Sequence, residues 1–441
     1  MTPSHTVADI SAIQDRTLLR RVAERNPGLI EAAFKLHRDR KVPPNSWIID
    51  LDAIAANADA LSAKAGELGL STYVMTKQYN RNPVVTSVAI KHGLHKGVAV
   101  DIHCARVMHR YGVPVGHIGH LNQVPAREIE AAIAIGPEVI TVYSVENARM
   151  ISGAAQAAGV TQDLMVRPIG EGDVFFVGQE GGFPEEDVID AARAISQLPN
   201  VRIVGVTSFP CVRYNFGEAE RAEPQANPNL ATVARVAQAL RNELGLEITQ
   251  LNTPGNTAVE TLPLLAAGGS THVEPGHGLI GTTPNHILDG TQPEVPAYVY
   301  LSEVSHHYQG RAYAFGGGFW TQITGLMRVS GVEPPMQALV GADLDGLLST
   351  ALDFEPQDQV IDYHGALYPG EKAAVGDTVV MALYTQAQMT RSYTVPVSGI
   401  STGEPEAHGI FDVGTHLLDD GYAAVPAHEA RKMIERVVER Y

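Results

Sequence analysis

The sequence predicts an α/β chain: a closed (β/α)8 TIM barrel followed by a mostly β C-terminal domain. Two patterns carry this. Between residues 73 and 276, eight short apolar runs alternate with stretches of helical spacing, the order a parallel barrel with outer helices requires. Beyond about residue 291 helical runs nearly vanish, and apolar segments are separated by Gly, Pro and Asp turns, as in an antiparallel sheet. An open doubly wound sheet competes for the first half, but the strand count and the lack of a GxGxxG after any strand favour the barrel.

The 441 residues, 44% hydrophobic and 18% charged, suffice for more than one core. Residues 1–45 read as an N-terminal helical extension, with helical spacing over 9–38 and VPPNSW as its stop. The barrel domain spans 46–290. It opens with WIIDLDAI, a strand entering a helix with Asp50 or Asp52 near its N-terminus, and residues 46–60 can pack with the β domain instead. The barrel strands are YVMTK, GVAVD, VPVGHIG, EVITVYS, DLMVRPI, VRIVGVTSF, LEITQLN and THVEPG, with helices such as PVVTSVAIKHG and NLATVARVAQALRNELG between them. In domain 291–441 the strands are YVYLSEVSHHY, RAYAFGG, DTVVMALY and SYTVPVSG, before a closing helix, EARKMIERVVERY.

Composition narrows the function. A net charge of -17 disfavours nucleic acid and anionic membranes as partners. Cys104 and Cys211 are too few for a disulfide framework. The N-terminus lacks a basic start followed by an apolar core, and no apolar run approaches membrane-spanning length, so a cytoplasmic protein is expected.

In a barrel the chemistry sits where strands end. Those ends present Lys77, Asp101, His117, His120, Tyr143, Arg167, Ser208 with Cys211, Asn252, Glu274 and His277. A lysine at a buried strand end is either a surface ion pair or an amine of lowered pKa, able to condense with an aldehyde. HVEPGHGLIG puts Gly276, Gly278 and Gly281 after Glu274, where a ligand can approach the backbone; in NTPGNTAVE, Thr257 offers a hydroxyl on a loop entering a helix. Each alone can be a turn or a cap.

Taken in order, VMTK, GNTAV and VEPGHGLIG resemble the alanine racemase superfamily of pyridoxal-phosphate enzymes, and GEGDVFFVGQEGGF with GDTVVM resembles its racemase-like YhfX branch. The resemblance implies pyridoxal 5'-phosphate on Lys77 as a Schiff base, with Asn256, Thr257, Glu274, Gly276, His277 and Ser208 at the cofactor. It implies a small amino-acid substrate and a homodimer with shared active sites. The activity implied is an amino-acid racemase or epimerase acting by Cα proton abstraction on a substrate other than alanine; a lyase, aldolase or eliminase, metal-assisted or not, is the alternative.

Three positions depart from the family pattern. Glu274 replaces an arginine at the ring nitrogen, and a carboxylate there keeps that nitrogen protonated. Phe315 stands where racemases carry a catalytic tyrosine, which leaves Tyr313, His306 and His307 as candidates for the second base. The fifth loop, VRPIGEGDVFFVGQEGGFP, offers Arg167, Asp173 and Gln179 for the substrate.

A metal-dependent hydrolase would use His272, Glu274 and His277, or His117 with His120, but the first strand lacks a DxH or HxH pair and no metal site is assigned. His364 is a further candidate for metal assistance. A noncatalytic carrier of the cofactor would not need the second domain.

Overall fold

A computed structural model describes residues 10–215, 222–316, 336–355 and 363–441. Nine strand segments form one parallel sheet in the order Ser71–Thr72, His272–Val273, Gln250–Asn252, Val201–Thr207, Gln162–Val166, Val139–Val142, Val115–Ile118, Gly97–Ala99, Val74–Met75. The first and last segments are one strand interrupted at Tyr73, so the sheet closes on itself as an eight-stranded barrel. Tyr73 donates its N–H to Val273 while Val74 donates to Lys96, and these two bonds seal the seam. All eight expected strands are present. Each is short and apolar because both faces are covered, the inner by facing strands and the outer by helices. Those helices begin on side-chain caps where the sequence supplies them: Asp101 accepts from the Cys104 N–H, and Ser144 from Asn147.

The second domain is an antiparallel barrel. Strand Tyr298–Tyr308 pairs with Arg311–Phe315, and the ring runs through His364–Tyr368, Ala351–Glu355, Gln337–Gly341 and Thr378–Met381 back to Tyr298–Tyr308. Its flank recruits Ser46–Asp50, which pairs antiparallel with Tyr298–Tyr308 and parallel with Tyr393–Ser398. Trp47 anchors this strand. Its ring lies 4.8 Å from Tyr298 and 5.1 Å from Tyr300, and its indole N–H donates to Thr390. Asp50 then caps helix Leu51–Glu67, which leads the chain into the barrel. Helices Leu18–Arg25 and Pro27–Arg38 of the N-terminal extension pack on the second domain around Leu29, Ile30, Leu301 and Val380. No helix among the described residues is long and apolar enough to cross a membrane.

Candidate active site

A cavity of about 320 Å³ opens at the C-terminal ends of the barrel strands, bounded by Lys77, Glu274, Asn256, Thr257, Gly276 and His277, with Phe209, Arg213 and Tyr384 completing the wall. Lys77 is set by the way the chain leaves the first strand. Thr76 ties its hydroxyl to the Val98 carbonyl, and Lys77–Tyr79 form a single 3-10 turn. Asn80 and Arg81 then take positive φ values of 52° and 56° to reverse direction before Asn82 caps helix Pro83–Lys91. The second domain braces this reversal: Arg81 donates to the Val413 carbonyl, and Thr415 to that of Asn80.

The Lys77 amine has no hydrogen-bond partner among the described residues and lies 5.7 Å from the Phe209 ring centroid. Burial pushes it down to about 8, against the attraction of Glu274 and Cys104. About a tenth of it is therefore the neutral, nucleophilic amine at pH 7, far more than for an ordinary lysine.

Glu274 lies on the cavity floor with its side chain fully buried. Oε1 accepts from Asn252 Nδ2 at 2.7 Å and from His117 Nδ1 at 2.8 Å, while the Thr141 hydroxyl meets His117 Nε2 at 2.6 Å. A carboxylate can only accept, so His117 Nδ1 is the donor of its bond to Glu274. Burial by itself would raise the Glu274 carboxyl, but His120, His117 and Asn252 hold it down at about 2. Burial also pushes His120 down to about 3; with His120 neutral, the bonds from His117 and Asn252 keep the carboxylate charged. Oε2 has no hydrogen-bond partner; His120 Nε2 lies 3.8 Å from it, and Glu274 lines the cavity.

Opposite, two loops form a cradle. Gly255 (φ 142°) and Asn256 (φ 47°) bring the chain round so that the N–H groups of Asn256 and Thr257 donate to no protein acceptor among the described residues; those of Gly276 and His277 are likewise free. The Asn256 amide donates to the Val212 carbonyl and holds the loop in place. Any β-carbon on Gly278 would lie 2.2 Å from the Thr257 carbonyl oxygen, so only glycine lets the loops touch. The His277 ring stacks on Tyr384, centroids 4.5 Å apart.

Buried polar atoms normally find partners, and each left without one costs about 1–3 kcal/mol. Here several belong to residues of the cavity wall: Thr257 Oγ1, Gln78 Oε1, His277 Nε2 and Glu274 Oε2; both ring nitrogens of His120, off the wall, are also without a hydrogen bond. That grouping fits pyridoxal phosphate. Thr257 and the free N–H groups match a phosphate, Glu274 Oε2 a ring nitrogen that carries a proton, and Lys77 an aldehyde.

Other expected residues lie elsewhere. Ser208 is buried off the wall, its hydroxyl accepting from Asn229. Arg167 does not reach the cavity. Its guanidinium donates to Tyr143 Oη and to the carbonyls of His120, Gln179 and Phe209, which makes it a brace beneath three loops. Asp173 closes its own loop, accepting from the Gly170 N–H and the Thr232 hydroxyl, and Gln179 is also absent from the wall. Tyr313, His306 and His307 sit on the outer face of the second domain, where His306 stacks on Tyr313 at 4.8 Å and meets His364 edge-on at 4.9 Å; within one chain none of them lines the cavity. Residues 317–320, the end of the RAYAFGGGFW stretch, lie outside the described residues.

The HxExxH histidines do not converge: His272 pairs with Thr271 beside Tyr73, and His277 with Thr282. The ligand atoms that do gather, within 4.8 Å of one another, belong to His117, His120 and Glu274. Gln78, Phe209, Arg213 and Tyr384 carried no motif signal; Phe209, at the end of the expected strand VRIVGVTSF, and Tyr384, inside the expected strand DTVVMALY, were on elements that could be foreseen.

Comparison with known proteins identifies the family and the fold. The family described as "Alanine racemase, N-terminal domain" matches residues 49–284, and "YhfX-like, C-terminal domain" matches 299–407. The chain is 38% identical over 387 residues to the uncharacterized protein YhfX of Escherichia coli (strain K12), covering 88% of this chain and 96% of that one. In fold it is similar to a D-threonine aldolase from Filomicrobium marinum (TM-score 0.61, 17% identity, 84% of this chain and 94% of that). It is also similar to an alanine racemase from Clostridium difficile 630 (TM-score 0.60, 17% identity, 84% and 99%).

Proposed function

The chain belongs to the alanine racemase family, in its YhfX-like branch, and from that premise we propose that it is a pyridoxal-phosphate-dependent lyase that cleaves a bond at Cα or Cβ of an amino or hydroxy-amino acid. The cofactor, when bound, supplies an aldehyde that captures the substrate amine and a ring that withdraws electrons from Cα. The chain supplies the rest. Thr257 and the N–H groups of Asn256, Gly276 and His277 hold the phosphate. Lys77 holds the aldehyde end and takes up or returns protons on its side of the cavity, a task suited to an amine that titrates near 8.

Glu274 is the observation that carries the proposal. Its carboxylate, kept ionised by His117 and Asn252, holds a proton on a ring nitrogen placed against Oε2 and so strengthens the ring as an electron sink. Inversion of Cα needs a proton acceptor on each face. Among the described wall residues neither the histidine nor the carboxylate serves, because burial pushes His277 to about 3 and Glu274 is held at about 2, and the Tyr214 hydroxyl is committed to Glu260; Tyr384 is the wall residue that the racemase alternative would need as its second base. The exposed face of Tyr313, His306 and Phe315 is assigned, within the same proposal, to contact between two chains of a homodimer.

The test is to incubate the loaded protein in deuterated water with amino acids and β-hydroxy-amino acids of both configurations. Release of aldehyde, ammonia or an oxo acid is expected; conversion to the mirror-image amino acid without release contradicts the lyase and restores the racemase. A second reading rests on the gathering of His117, His120 and Glu274. A divalent cation there would occupy the carboxylate that the ring nitrogen needs. Chelator dialysis is therefore expected to leave turnover unchanged, and loss of turnover restored by a metal would favour the metal-assisted alternative.

A further inference from the structure

We infer that Arg213 anchors the α-carboxylate of the substrate, so that this site takes an amino acid in preference to the corresponding simple amine; the inference rests on the cofactor occupying the cavity as proposed above.

Apart from Lys77, Arg213 is the cation on the cavity wall among the described residues. It stands on strand Val212–Asn215, which pairs only with Glu223–Ala226 and reaches over the cavity from beyond the sixth barrel strand. No carboxylate neutralises it among the described residues. Its guanidinium donates to two neutral amide oxygens, Asn227 Oδ1 at 2.7 Å and Gln225 Oε1 at 3.4 Å.

Asn227 is itself buried and pinned, its amide donating to the Pro210 carbonyl at 2.9 Å and its backbone N–H to that of Cys211 at 2.9 Å. The exposed arginine is therefore aimed by a rigid buried amide, and no carboxylate among the described residues pairs with it, an arrangement that suits a recognition site. The phosphate cradle is served by backbone N–H groups and the Thr257 hydroxyl, and Lys77 is committed to the aldehyde. Arg213 is then the group left to meet the remaining anion of an amino acid, and a planar guanidinium suits a carboxylate.

The experiment titrates the cofactor-loaded protein with an amino acid and with the amine lacking its carboxylate, following the near-visible absorbance of the bound cofactor, for wild type, Arg213→Gln and Arg213→Lys. Wild type is expected to bind the acid more tightly than the amine. Arg213→Gln should weaken the acid about ten- to a hundred-fold, the worth of a charge-assisted hydrogen bond, with amine and cofactor affinities unchanged and Arg213→Lys intermediate. Unchanged acid binding in Arg213→Gln, equal weakening of acid and amine, or weaker cofactor uptake without substrate would overturn the assignment. If wild type takes up no cofactor, the proposed function falls along with it; if it does and Arg213→Gln behaves as wild type, only the carboxylate anchor falls.

Discussion

Lys77 is poised at a cost to folding. Its amine titrates near 8 in the folded chain against an ordinary 10.5, a difference worth up to about 3 kcal/mol. The folded value is the lower one, so between these two pH values the unfolded chain binds more protons. The penalty is full below about pH 8 and is relieved as pH rises toward 10.5. Cofactor-free Lys77→Met should therefore be more stable than wild type at pH 7, by about 1–3 kcal/mol in denaturant melts, with the advantage shrinking above pH 9. Equal stability at both pH values would mean that the amine is not desolvated. Glu274→Gln keeps the shape of the floor but cannot hold a proton on the ring nitrogen. Turnover should fall about a hundred-fold or more, the scale on which a preorganised charge acts, with cofactor still bound; near-normal turnover would separate the carboxylate from the chemistry.

At the scale of elements, the site is made by how strands hand over to loops. The two cradle loops meet at Gly278, where a β-carbon would lie 2.2 Å from a backbone oxygen, whereas at Gly276 it would meet the Gln78 side-chain amide oxygen at 2.6 Å. Gly278→Ala should lose cofactor binding and about 1–3 kcal/mol of stability. Gly276→Ala should keep the fold, since Gln78 can swing aside. Equal effects, read by cofactor titration and melting, would show that the loops do not touch as described. The same handovers explain what was legible in the sequence. Lys77, Asn256, Thr257, Glu274, Gly276 and His277 follow directly on barrel strands or in a matched motif, so fixing the strands brought them together. Arg167 misled because its position at a strand end looks catalytic, while its actual partners are backbone carbonyls that no sequence pattern encodes. Arg213 was passed over because it hangs on a two-stranded excursion beyond the sixth strand.

At the scale of the molecule, neither domain is self-contained. The sheet of the second domain needs Ser46–Asp50 from before the barrel. The turn that carries Lys77 leans on Val413 and Thr415 from the second domain, and helix Ala427–Glu439 returns to the barrel, where Arg431 donates to the carbonyls of His109 and Arg110. A fragment of residues 291–441 should therefore fail to fold alone, and the intact chain should unfold in one calorimetric transition; two separated transitions would contradict that interdependence. Strands Gln337–Gly341, Ala351–Glu355 and His364–Tyr368 went unrecognised in the sequence. They belong to a closed antiparallel ring, whose pairing is set by distant partners and not by a local repeat. The barrel was legible because its repeat is local: each strand is followed at once by the helix that covers it.

The most direct test of the account is borohydride reduction of the protein after incubation with pyridoxal phosphate, followed by peptide mapping. The account predicts one covalent phosphopyridoxyl group, on Lys77, formed with a pH dependence centred near 8, and largely lost in Thr257→Val at limiting cofactor. A protein that takes up no cofactor, or a label spread over surface lysines with Lys77 untouched, would contradict it.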